Sequence, residues 1–232
     1  MRERNEDRWS ADADLGLFIV SDGMGGRPAG EVASEVVVAA LPTLVINHFG
    51  ADPDLAAPDA PQRLRTVLTE LSADLREGSQ DTPRLAGMGA TAVVALVSQA
   101  TALIAHVGDS RAYLSRAHSL QRLTRDHSLA QALVDAGAIT DQQAAGHPAR
   151  GQLTRHMGMV GDALPDASRI TMQPDDRLLL CSDGLTGMLD DARIQAILNR
   201  CPDPEHACRV LIEAANDAGG TDNITVLVVA PE

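Results

Sequence analysis

Four aspartates in this 232-residue chain sit beside short apolar runs, each with a glycine close by: Asp22 after LGLFIVS, Asp109 after LIAHVG, Asp183 after LLLCS, and Asp222 just before NITVLVV. Carboxylates and backbone carbonyls are hard oxygen donors, so their convergence suits Mg²⁺ or Mn²⁺. Brought together without such ions they repel, and some must hold a proton. Two ions roughly 3.5–4 Å apart lower the pKa of a bridging water and neutralise a phosphoryl group under in-line attack. Gly23 and Gly184, lacking a Cβ, are expected to leave the backbone clear for a main-chain carbonyl to reach an ion. Spacing alone leaves open whether these aspartates bind ions or form ordinary Asp-Gly turns.

Convergence requires strand ends gathered at one rim of a layered sheet. The run Leu15 to Ser21 reads as a buried strand stopped by an Asp22-Gly23 turn. A helix is expected from Glu31 to about Asn47, on the recurrence of Val32, Val36, Ala39, Ala40 and Thr43. A second runs from Pro61 to about Glu77, after a loop at 52–61. Thr91 to Val97 and Thr101 to Val107 read as a hairpin joined by Ser98-Gln99-Ala100, continued by strands at 111–115 and 120–123. A helical stretch at 128–138 opens a weakly periodic segment, about 126–165, that reads as a flap. A strand at 177–182, helices at 192–199 and 205–217, and a last strand at 224–229 follow. Hairpin-linked strands with helices grouped before and after them predict an α+β layered sandwich of antiparallel sheets covered by helices. Residues 1–232 are expected to form one domain.

Composition narrows the function. Aromatic residues make up 2% of the chain, so base stacking is an unsuitable trade, and a formal net charge of −13 repels nucleic acid and anionic lipid. All 19 basic residues are arginine, which excludes a catalytic lysine and favours bidentate grip of carboxylate or phosphate. Cys181, Cys201 and Cys208 have neither an even count nor a metal-ligand spacing, and are read as reduced thiols. The charged start is unlike a signal peptide, and no apolar run is expected to reach the length that crosses a bilayer. The expected setting is cytoplasmic, with no membrane partner.

The segments R-E-R-N-E-D (2–7), S-D-G-M-G-G (21–26) with A-G-E-V-A-S after it, G-A-T-A (89–92), H-V-G-D-S-R-A-Y-L (106–114), L-T-R-D-H-S-L (123–129), C-S-D-G-L (181–185) and G-G-T-D-N-I-T (219–225) occur in that order. Together they resemble the motif series of bacterial metal-dependent serine/threonine protein phosphatases, the PPM or type 2C family. The resemblance implies a layered α-β-β-α sandwich, two antiparallel sheets flanked by helices, with two or three Mn²⁺ or Mg²⁺ ions in a cleft at one edge. Carried over by position, it implies that Asp22 bridges two ions, that the Gly23 carbonyl binds one of them, and that Asp183 and Asp222 complete the other. It further implies that Asp109 shares a weaker third ion with Asp183. Glu6 then reaches an ion directly or through water, Asp7 stands behind it, and Arg2 grips the substrate phosphate.

Two departures from the family pattern matter. The chain begins almost on the R-x-x-N-E-D segment, so an edge strand that family members carry before it is expected to be missing or cut away. Met24 occupies the place where eukaryotic relatives have a proton-donating histidine. Of the other candidates, His106 reads as a satisfied core residue, while His127 and His147 flank the flap within reach of substrate but are read as structural or surface residues before catalytic ones. Met157 and Met159 read as packing. The expected activity is attack of metal-activated water on phosphoserine or phosphothreonine in proteins, the products of Ser/Thr kinases, by a monomer without a covalent enzyme intermediate. The alternative is a catalytically silent phosphatase-like module that binds phosphorylated partners.

Overall fold

The computed structural model describes residues 4–25, 29–80, 83–85 and 87–230. In β4 (Ala92–Ser98) and β5 (Thr101–Val107) both faces are apolar, so their sheet must be covered on two sides. Ala92, Val94, Leu96, Leu103 and Ala105 pack under helices, while Val93, Ala95, Ala102 and Ile104 face a second sheet. The first sheet adds β1 (Asp7–Asp12), β2 (Leu17–Met24) and β8 (Asp166–Thr171) in the order β1-β2-β4-β5-β8, and β3 (Gly89–Ala90) pairs with β2. The second sheet runs β10 (Val226–Val229), β9 (Arg177–Cys181), β6 (Arg111–Arg116), β7 (Ser119–Arg122). Every named strand pairing is antiparallel. The expected α-β-β-α sandwich is the architecture found.

Helices α1 (Ala29–Phe49) and α2 (Ala60–Gln80) cover the outer face of the first sheet. The buried stripe of α1 is Ala33, Val37, Leu41, Val45 and Phe49. The expected stripe differs: Val32, Val36 and Ala40 are half-buried, and Ala39 and Thr43 are exposed. A helix apolar on nearly every side does not declare its inner face by periodicity. The same apolarity overturns another expectation, because Ala29–Phe49 is long and apolar enough by length and composition to cross a bilayer. Here its apolar side is spent on the sheet and on α2.

The outer face of the second sheet is covered by α5 (Asp183–Met188), α6 (Asp191–Arg200) and α7 (Pro204–Asp217). Asp190 and Asp203 start α6 and α7 by accepting the backbone N–H of Arg193 and His206. Segment 126–165 carries α3 (Leu129–Asp135) and α4 (Asp141–Ala145), the latter opened by a reciprocal Thr140–Gln143 cap. Backbone bridges Ser128–Leu153 and Ala90–Met157 tie the segment to itself and to β3, and Met157 is fully buried, as its packing reading requires.

The turn expected at Asp22-Gly23 is not a turn, and neither is Asp183-Gly184, where spacing leaves that alternative open. Strand β2 continues through Asp22-Gly23 to Met24, held by β1 on one side and β3 on the other, while Asp183-Gly184 opens α5. The β4–β5 connection is also tighter than expected, with Ser98 paired to Thr101 and Gln99 turning with φ of 52°. β1 starts on the N-E-D segment and is itself the edge strand of the first sheet.

Candidate metal centre

Asp22 is fixed through its backbone. Its N–H donates to Thr91 Oγ1 at 3.0 Å and its carbonyl accepts the Thr91 N–H at 2.8 Å, while Ser21 Oγ donates to the Thr91 carbonyl. Thr91 Oγ1 also meets Ser110 Oγ at 2.6 Å, so one threonine links the Asp22 strand to the Gly108–Ser110 turn that presents Asp109. Gly108 turns with φ of 103°, and a Cβ there would stand 2.6 Å from Thr91 Cγ2. Only glycine lets the turn close on Thr91.

Asp183 stands in the first turn of α5, where helix polarity favours negative charge. Ser182 just before it donates to Asp7 Oδ2 at 2.7 Å and accepts the Thr225 N–H at 3.0 Å. Asn223, next to Asp222, accepts the Glu6 N–H and donates to the Arg4 carbonyl, both at 3.0 Å. Residues some 217 apart in sequence are thereby held side by side. Asp22, Gly23, Asp109, Asp183, Asp222 and Glu6 all line one cleft of about 560 Å³. Arg2 lies outside the described residues.

Several of the acids that meet in this cleft are buried beside one another. Burial, and after it Asp7, Asp183, Asp109 and Asp222, push the Asp22 carboxyl well above the usual range. Burial and then Asp183 push Asp109 up to about 8. Asp7 is 3% exposed, is pushed up mainly by burial, and keeps Oδ1 buried without a hydrogen-bond partner. A divalent cation, directly or through its water, meets each of these demands, and the donors are all oxygen. The residues present therefore fit hard divalent ions.

The glycines also answer a packing demand that their expected role did not include. A Cβ at Gly23 would lie 2.0 Å from the Gly30 carbonyl oxygen, and one at Gly184 would lie 1.8 Å from that of Asn223. Both are glycine because neighbouring backbone packs against them: the start of α1 in one case, the segment carrying Asp222 in the other.

The protein phosphatase 2C family model matches residues 2–214. The chain belongs to that family. The phosphatase 2C chain is 38% identical over 232 residues to the serine/threonine phosphatase stp of Listeria monocytogenes, covering 99% of this chain and 91% of that protein. Among solved structures it resembles the phosphatase Stp1 of Staphylococcus aureus, with a TM-score of 0.89, 34% identity, and coverage of 100% and 91% of the two chains. It also resembles a PstP catalytic domain solved with two manganese ions, with a TM-score of 0.78, 35% identity, and coverage of 98% and 92%. The family is metal-dependent, in line with the oxygen donors of the cleft.

None of His106, His127 and His147 is among the residues lining the cleft, in keeping with their reading as core, structural or surface residues. His106 is the core residue anticipated, buried with Nε2 on the Arg125 carbonyl at 2.8 Å. His127 is 3% exposed, and its Nδ1 accepts the Gly108 N–H, so the ring proton sits on Nε2 and is donated to Asp166 Oδ2 at 3.0 Å. Burial, and then His106, hold His127 down at about 4, so it is neutral. His106, His127 and Asp166 offer ligand atoms within 4.8 Å of one another, and here His127 Nε2 gives its hydrogen to Asp166 while His106 Nε2 gives its own to the Arg125 carbonyl. The trio instead steadies the turn before Asp109. His147 is turned to its own backbone, accepting the Ala149 N–H, and does not line the cleft. The histidine that does is His156, which sequence reasoning missed.

Arg111, two residues beyond Asp109, makes a bidentate pair with Asp126 at 3.0 and 2.7 Å, and Arg122 joins the same carboxylate. Burial raises the Asp126 carboxyl, but Arg111 and Arg122 outweigh it and hold it below the usual range. This knot anchors the entry of β6.

Proposed function

We propose that this chain hydrolyses phosphoserine and phosphothreonine in proteins by direct attack of water, using two or three Mn²⁺ or Mg²⁺ ions. The observation that carries the reading is the meeting of Asp22, Asp109, Asp183 and Asp222 from four separate segments in one cleft. The relatives' names support the phosphorylated-protein substrate class. Asp22 would serve both main ions, with the Gly23 carbonyl on one and Asp183 and Asp222 on the other; Asp109 and Asp183 would hold the third. Glu6 would reach an ion directly or through water, Asp7 would stand behind it, and Arg2 would receive the phosphate. Bound there, the ions supply the charge that makes water a competent nucleophile and offsets the phosphoryl oxygens.

A covalent route through cysteine finds no support. Cys181 is fully buried, and burial pushes its thiol up to about 12. Nor does anything in the cleft favour a silent binding module. Residues 1–232 act as one catalytic domain, monomeric and cytoplasmic, reversing the work of Ser/Thr kinases. The test is Mn²⁺-dependent hydrolysis of a phosphothreonine peptide and of p-nitrophenyl phosphate, with chelator as control. Asp183→Asn is expected to abolish the metal-dependent turnover; unchanged rates in that variant would refute the assignment.

A further inference from the structure

Hydrolysis of a serine or threonine phosphate releases an alkoxide unless a proton reaches the leaving oxygen. Among the described residues lining the cleft, one side chain is suited to supply it. The carboxylates serve as anionic donors, Met24 and Leu153 carry no transferable proton, and the Thr91 hydroxyl is engaged by Ser110 and the Asp22 N–H. The remaining side chain is the imidazole of His156.

Its ring is held in a defined way. Nδ1 lies 3.0 Å from the Met157 carbonyl, so Nδ1 carries a hydrogen and donates it. Among the described residues Nε2 has no hydrogen-bond partner, and it is not one of the buried polar atoms lacking one, so it is open to solvent on a residue that lines the cleft. The ring lies against Gly89, where a Cβ would come 2.7 Å from Nδ1 and 3.1 Å from the Met157 oxygen. Glycine at 89 is what gives the imidazole room. Gly89 pairs with Met24, and Ala90 with Gly23, so the two-residue strand β3 delivers the ring beside the segment that carries Asp22.

We propose that His156 is the general acid of this chain, an inference that rests on the phosphatase reading. As the oxygen of water bonds to phosphorus, the bond from phosphorus to the serine or threonine oxygen breaks, and its electron pair stays on that oxygen. The proton on Nε2 of the imidazolium passes to it, giving the alcohol and a neutral ring. The water retains one proton in the phosphate product and returns the other to Nε2 through solvent in the cleft. The Met157 carbonyl accepts from Nδ1 in both states, so the ring need not turn between them.

Leaving-group dependence tests this role, because nitrophenolate departs without a proton and an alkoxide does not. His156→Ala and His156→Asn are expected to lower the ratio of phosphothreonine-peptide turnover to p-nitrophenyl phosphate turnover by about 10²-fold. Mn²⁺ affinity by calorimetry and the thermal melt are expected to stay as in the unaltered chain. Asparagine retains a donor for the Met157 carbonyl, so it decides the matter if the alanine variant fails to fold. An unchanged ratio, whether both rates fall or neither does, would overturn the proposal, as would weakened Mn²⁺ binding, which would make His156 a ligand instead. Failure of the unaltered chain to turn over either substrate with Mn²⁺ would overturn the phosphatase reading, and this proposal with it.

Discussion

Replacing Asp109 by asparagine should make the metal-free protein more stable, the reverse of the usual result of altering a buried site residue. Asp109 is 7% exposed and holds its proton up to about 8, chiefly because of burial and then Asp183. The unfolded chain releases that proton near 3.9. The native state therefore binds more protons than the unfolded one between those values, and metal-free stability falls as pH rises from about 4 to about 8. At about 1.4 kcal/mol per tenfold in proton affinity, the full span is on the order of 5 kcal/mol. Asparagine is itself a polar group to bury, so a net gain of ~2 kcal/mol is the reasonable expectation, or ~4–8 °C in Tm for a chain of this size. Carboxylates held below the usual range, such as Asp126 and Asp176, contribute stability that is complete above about pH 5 and lost only on acidification, so they do not mask the trend. The assay is thermal unfolding in chelator at pH 5, 6.5 and 8, with and without the substitution, repeated in Mn²⁺. The gain should grow with pH in chelator and vanish or reverse in Mn²⁺. A lower Tm for the variant in chelator at pH 8 would refute the claim that these carboxylates repel one another in the folded chain.

Asp126→Ala should destabilise the protein by ~3–5 kcal/mol in urea titrations, because it leaves the guanidinium of Arg111, 14% exposed, without its bidentate partner. Gly184→Ala should cost both stability and Mn²⁺ affinity, since its Cβ would enter the Asn223 carbonyl at 1.8 Å and push Asp222 aside; a loss of ~1–3 kcal/mol in the melt, with weaker binding by calorimetry, is the expected pair. Asn223→Ala removes the acceptor of the Glu6 N–H and the donor to the Arg4 carbonyl, and should weaken stability by ~1–3 kcal/mol in the same denaturation assay.

The convergence of the four aspartates was legible because each stands at the border of an apolar run, and layered sheets bring such borders to a common rim. Their local conformation was not, because Asp-Gly reads as a turn by local propensity, whereas in β2 the partners on both sides carry the strand straight through. His156 escaped notice for a related reason. Its importance depends on a strand of two residues and on the absence of a side chain at Gly89, neither of which produces a hydrophobic period. The inner face of α1 was misread because nearly every face of that helix is apolar, so the choice among them is made by the sheet it meets.

The cleft is also the seam of the fold. Asp22 belongs to the first sheet, Asp183 and Asp222 adjoin strands of the second, and Asp109 lies on the crossing from β5 in one sheet to β6 in the other. Contacts across it, such as Glu6 to Asn223 and Asp7 to Ser182, join segments 217 and 175 residues apart in the chain and so close long loops. Repulsion among the carboxylates acts against that closure, and any cation bound among them acts for it by mass action. Ion binding and the docking of the two sheets are in this way one equilibrium. The sites that organise chemistry are paid for by the ion, since without it the same residues are a source of instability placed where the sheets meet.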